Sequence, residues 1–134
     1  MSAAEHHRAA RDRLRRAAES KDPDDMVAAL APAVTFFSPV VFKPYQGAED
    51  VLALLGIVVE TFEDFRYTDE LDGEDGAALI FEARVGERAL HGLDLVRGDA
   101  DGRIAELMVM VRPLSASIAL AETIGPQLAA LGDG

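Results

Sequence analysis

A chain of 134 residues, 49% of them apolar, is sized for one domain spanning residues 1–134, with a core and room for one internal cavity. The absence of cysteine excludes disulfides, thiolate metal sites and a Cys nucleophile. No apolar run approaches the ~18 residues needed to cross a bilayer, and the first twenty residues hold no apolar segment of the export type, so a cytoplasmic protein with no membrane association is expected. The net charge is −11, yet residues 1–21 carry a local +3 and the remainder −14, and an acidic body repels phosphate backbones, which argues against a nucleic-acid partner.

Ala3, His7, Ala10, Leu14 and Ala17 recur at helical spacing and predict a helix from Ala3 to Ser20. Its apolar stripe is Ala with a single Leu, too thin to anchor in lipid, and its basic residues read as a solvated face. After a break at Lys21–Asp25, Asp22 or Asp24 caps a short second helix through Leu30, with Pro23 tolerated near its start. Val34–Phe37 reads as a strand limited by Pro39, and Val40–Tyr45 as a short extended piece broken by Pro44. Gly47 opens a helix over Ala48–Thr61, with Glu49 and Asp50 in its first turn, where the helix dipole favours them. Its apolar residues nearly circle the axis, so burial is expected on most sides.

Phe65–Leu71 alternates weakly as a strand, and DGEDG at 72–76 is a turn. Strand Ala77–Val85 follows, then a hairpin at Gly86–Arg88. The next two strands, Ala89–Val96 and Ile104–Val111, flank a reversal rich in Gly and Asp: Gly98, Asp99, Asp101 and Gly102. Leu114, Ile118, Ala121, Leu128 and Leu131 line one face of a C-terminal helix, with a break or bend expected near Gly125–Pro126. This order predicts an α+β fold in which helices pack on one face of a curved antiparallel sheet.

Within Ala89–Val96 stands one carboxylate, Asp94. A charge in a mostly buried strand costs several kcal/mol unless it is paired, neutralised or wet, so its presence asks for a reason. One answer is a cavity; the other is an ion pair with Arg84 or Arg112. Asp94, Arg97, Asp99, Gly102, Arg103 and Ile104, in the run DLVRGDADGRI, resemble the last two strands of the nuclear transport factor 2-like superfamily. That group includes SnoaL-like polyketide cyclases and ketosteroid isomerases.

The resemblance implies a cone-shaped sheet over residues ~5–113 with the helices on its concave face, the C-terminal helix being an addition. It also implies that Asp94 points into an apolar cavity as a protonated acid able to hydrogen-bond a developing oxyanion. Alternation then puts Leu90, Gly92 and Val96 on the same face, Gly92 leaving room for a ligand. Phe81 and Val109 are apolar wall candidates. Tyr45, Tyr67 and Ser38 are the other polar groups near such a cavity, and Tyr45 is the one expected to stack on a flat ligand.

The rest of the isomerase set does not carry over. The tyrosine that the family places on the first helix falls on Leu14, and its aspartate before a proline falls on Ser38-Pro39. Ketosteroid isomerisation is therefore not expected. His91 faces away from Asp94, and His7 lies on the helical stripe close to a solvated terminus. No metal motif or phosphate loop appears, and the eight acids of Glu60–Asp75 lack a calcium-loop register, so no metal or cofactor is expected and that segment reads as a solvated edge.

Met108 and Met110 alternate with Leu107, Val109 and Val111, making the last strand apolar on both faces. The outer face needs cover, either from the C-terminal helix or from a second subunit. Relatives pair through this face, which implies a homodimer. Two functions fit: a cofactor-free cyclase or isomerase using Asp94 for proton transfer on a small apolar carbonyl compound, or a non-catalytic ligand-binding or dimerisation module. A polar-tipped void above ~300 Å³ favours a ligand site; a core filled by Phe36, Phe62 and Phe81 favours the module.

Overall fold

Ser2 and Glu5 cap each other reciprocally and start helix α1 (Ala3–Ser20), which ends where Lys21 turns left-handed at φ 56°. The computed structural model describes residues 2–132. Asp22 accepts from the Asp24 amide and opens α2 (Pro23–Ala29), with Pro23 in the first turn. Strand β1 (Leu30–Phe37) follows, then the two-residue β2 (Tyr45–Gln46) and helix α3 (Ala48–Thr61). Strands β3 (Glu63–Asp72), β4 (Ala77–Val85), β5 (Arg88–Gly98) and β6 (Ile104–Arg112) precede helix α4 (Leu114–Gly132). Among the described residues, no helix is long and apolar enough to cross a membrane.

The six strands form one curved sheet in the order β2-β1-β6-β5-β4-β3. The β3–β6 meander is antiparallel throughout, as expected, but β1 runs parallel to β6, so the sheet is mixed. Bulges interrupt the register of β3 and the end of β5, where an extra residue bends a strand and raises its twist.

Several local expectations are corrected. Leu30 belongs to β1 rather than to the second helix, and residues 38–44 are turns instead of a strand. Ser38 explains the latter: its Oγ accepts from the Val40 and Val41 amides, bending the chain away from the sheet. Helix α3 buries Val51, Leu54 and Leu55 but only partly covers Ile57, Val58 and Val59. Helix α4 runs through Pro126 without ending there.

Burial alternates cleanly along the meander. Leu79, Phe81 and Ala83 on β4, Leu90, Gly92, Asp94 and Val96 on β5, and Leu107 and Val109 on β6 share the inner face. All four helices lie toward that side, and α4 packs against α3, β5 and β6. The C-terminal helix is therefore not the cover of the outer face.

The DLVRGDADGRI turn has a role beyond reversal. A Cβ on Gly98 would overlap the His6 carbonyl, and a Cβ on Gly102 (φ 71°) would lie 3.1 Å from that of Ala9. Both glycines thus admit the backbone of α1 against the hairpin, and the Gly98 amide donates to His7 Nδ1 at 3.0 Å. Asp99 organises the turn, accepting from the Asp101 and Arg103 amides. At the other end, Arg11 is only 4% exposed, bonded to the Leu71 carbonyl and paired with Asp72. Arg15 bridges to Glu70 at 2.6 Å. The basic face of α1 and the acidic edge of β3 are therefore partners, where the sequence suggested two solvated surfaces.

Candidate functional site

Between the inner face of the sheet and helices α1, α3 and α4 lies a cavity of about 300 Å³. Its wall is apolar and aromatic, with Phe36, Phe62, Phe65, Phe81 and Tyr67 contributing rings and Leu107, Val109, Leu120 and Ile124 closing the sides. Phe36, Phe62 and Phe81 line this space instead of filling it. The Phe65 ring packs 4.7 Å from Phe81 and edge-on to Tyr67 at 4.9 Å, which fixes the aromatic wall.

Asp94 opens into this cavity. It lies opposite Leu79 on one side and Val109 on the other, and is 7% exposed. Among the described residues its carboxyl has no hydrogen-bond partner, and neither oxygen is sealed from the cavity space. The arginines that would have made it a structural ion pair are engaged elsewhere: Arg84 with Glu63 and Asp64, and Arg112 with His91. Burial without a compensating charge penalises the ionised form, and pushes the Asp94 carboxyl up to about 7. At neutral pH it is divided between an acid that can donate a hydrogen bond and a carboxylate that can accept a proton.

The second polar group is Tyr67 rather than Tyr45. Tyr67 follows Phe65 on the inward-facing positions of β3 and lines the cavity. Burial, reinforced by the Asp94 charge, raises its hydroxyl well above the usual phenol range, so it is a donor at all ordinary pH. From α1, the Arg15 guanidinium sits 5.4 Å from the ring centroid. Tyr45 pairs across from Phe36 on β2, its ring 6.4 Å away, and is not part of the cavity wall. The alternation of Phe65 and Tyr67 was the available signal, masked in sequence by the acidic residues around it.

Of the other predicted site residues, Phe81, Val109 and Ser38 line the cavity. Ser38 spends its acceptor capacity on the loop amides, leaving only its hydroxyl proton to offer. Gly92 does not make room for a ligand. A Cβ there would fall within the ring of Phe81, its register partner on β4, so the space is already filled by that side chain. Leu14 does line the cavity, so a leucine stands on α1 where the resemblance leads one to look for a tyrosine. His91 is exposed on the outer face beside Arg112 and Glu82. Among the described residues, no group of three His, Asp or Glu side chains could hold a metal ion.

The sequence profile of the SnoaL-like domain matches residues 11–107, most of the chain, from within α1 to Leu107 of β6. The chain belongs to the SnoaL-like family. Among solved structures, this SnoaL-like chain is similar to a steroid delta-isomerase from Pseudomonas aeruginosa, with 38% identity, 96% of each chain covered and a TM-score of 0.85. It is also similar to an uncharacterised protein with a cystatin-like fold from Silicibacter pomeroyi, at 29% identity and TM-score 0.84 over 90% of this chain and 85% of that one. A de novo designed protein with a curved β-sheet shares only 16% identity, yet reaches a TM-score of 0.69 over 90% of this chain and 95% of its own. That last likeness shows the fold alone and underlines that function must be argued from the cavity. No curated protein gives a significant match.

Proposed function

We propose that this SnoaL-like protein binds a small, flat, apolar carbonyl compound in the Asp94 cavity and promotes proton transfer on it without a cofactor. One observation carries the reading: a carboxyl buried in an apolar cavity with no partner among the described residues, which burial pushes up to about 7. Neutral Asp94 and the Tyr67 hydroxyl would hold the carbonyl oxygen; the ionised form of Asp94 would take the α-proton, leaving an enolate that Tyr67 stabilises, and then return the proton to carbon. The name of the Pseudomonas aeruginosa relative supports a polycyclic ketone as one member of the substrate class.

Ser38 favours a second reading. It occupies the place where the family's isomerases hold their base, and a serine hydroxyl is no base near neutral pH. A protein that binds such a ligand without turning it over fits this residue as well. The two readings separate in D₂O with 2-acetylnaphthalene as probe, following loss of its methyl proton signal. Exchange faster with the wild type than with Asp94→Asn supports proton transfer. Binding without exchange supports the second reading, and absence of binding refutes both.

The outer face of the sheet supports association. Ile80 pairs with Leu93, Leu93 with Met110, and Leu95 with Met108, giving a contiguous apolar patch over three strands, with Met110 half exposed. Arg97–Glu106 and Arg66–Glu82 pairs border it. An apolar centre within a charged rim is the composition of a protein interface, and a two-fold homodimer would cover it.

A further inference from the structure

The exposed residues of the cavity wall are Glu19, Lys21 and Arg66; Arg66 turns its side chain outward to Glu82, which leaves Glu19 and Lys21 at the mouth. Two of the three charges are already compensated. Glu19 is held by Arg15 at 3.3 Å, and Arg66 by Glu82 at 2.6 Å. Lys21 has no ion-pair partner among the described residues. The nearby acids do not reach it: Asp22 caps the Asp24 amide, and Asp25 accepts from Ser20 Oγ at 2.7 Å. Its left-handed backbone at the end of α1 places this residue at the corner between α1 and α2, beside cavity residues Ala18 and Met26.

From this rim we infer that the ligand is an anionic amphiphile: an apolar carbonyl-bearing body inside the cavity with a carboxylate at its outer end, met by Lys21. The inference rests on the ligand-binding reading above and names its substrate class further. The cavity offers an acceptor-seeking acid at depth and a single uncompensated cation at the entrance. The complement is a molecule with an oxygen acceptor at one end and a negative charge at the other. A body carrying −11 overall repels anions in general. Only an anion whose apolar part enters the cavity gains enough to overcome that repulsion, which makes Lys21 a determinant of specificity more than of affinity.

The test uses two probes sharing one body, 6-acetyl-2-naphthoate and its methyl ester, titrated calorimetrically into wild type, Lys21→Gln and Lys21→Arg. The wild type should prefer the acid by roughly two- to five-fold, the worth of an exposed ion pair, and the preference should shrink in 0.5 M salt. Lys21→Gln should abolish or invert the preference without changing ester affinity, and Lys21→Arg should retain it. Lys21 is exposed, so an unchanged melting temperature confirms that folding is unaffected. Ester binding with no preference for the acid, or a preference that survives Lys21→Gln, overturns the inference while leaving the cavity reading intact. Failure of both probes to bind overturns both.

Discussion

Replacing Asp94 by Asn keeps the shape of the side chain and a hydrogen-bond donor, but removes the titrating group. The folded protein holds the Asp94 proton up to about pH 7, whereas an unfolded aspartate releases it near 3.8. Across that window the native state binds one proton more than the unfolded state, so stability falls as pH rises. The contribution is fully present below 3.8 and fully lost above 7. At ~1.36 kcal/mol per pH unit, the ionised carboxylate costs the native state about 4 kcal/mol at alkaline pH, an upper figure because local opening admits water. The sequence pI of about 4.5 makes work near that pH impractical, so the useful range is roughly pH 5.5 to 8.5. Urea unfolding of both proteins across it cancels the other carboxylates in the difference. The advantage of Asp94→Asn should grow by about 1.6 kcal/mol between pH 5.5 and 7 and reach about 2 kcal/mol by pH 8.5, where it levels off. A difference that stays flat over this range would refute the claim that Asp94 is buried without a partner.

Gly92→Ala should destabilise the fold by about 1–3 kcal/mol in chemical denaturation, because its methyl group meets the buried Phe81 ring; a neutral effect would mean that the ring can move. Tyr67→Phe should leave stability unchanged, since the hydroxyl has no partner among the described residues, while weakening a bound ketone by roughly 1 kcal/mol in calorimetry. Equal affinity for the ketone would remove Tyr67 from the site. Leu95→Asp on the outer face should convert a dimer to monomer in sedimentation; a wild type already monomeric at micromolar concentration defeats the proposed association.

What the sequence made legible was what alternation and turn chemistry control. Strands of period two placed Asp94 and Val109 inward and Met108 and Met110 outward, and the Gly-Asp reversal joined them. The parallel pairing of Leu30–Phe37 with the last strand was not legible, because it joins segments some seventy residues apart with no local signal. The sequence suggests conformational freedom for Gly98 and room for a ligand at Gly92, whereas both matter because a Cβ would strike His6 and Phe81, a tertiary fact. The loop of Tyr45 resembles a cavity mouth, which makes Tyr45 the expected ligand contact. The side chain that reaches the cavity belongs to an edge strand whose acids made it look solvated. Two of those acids, Glu70 and Asp72, pair with Arg15 and Arg11 of the first helix.

The central claim is that Asp94 is a cavity acid available to a carbonyl ligand, and carboxyl ¹³C NMR of the aspartates, titrated with and without 2-acetylnaphthalene, tests it directly. One carboxyl, absent from Asp94→Asn, should titrate near 7 in the free protein and shift to a higher midpoint when the ketone binds, because the ligand excludes water and accepts a hydrogen bond from the neutral acid. If every aspartate titrates below about 5, and none responds to the ketone, the account is wrong.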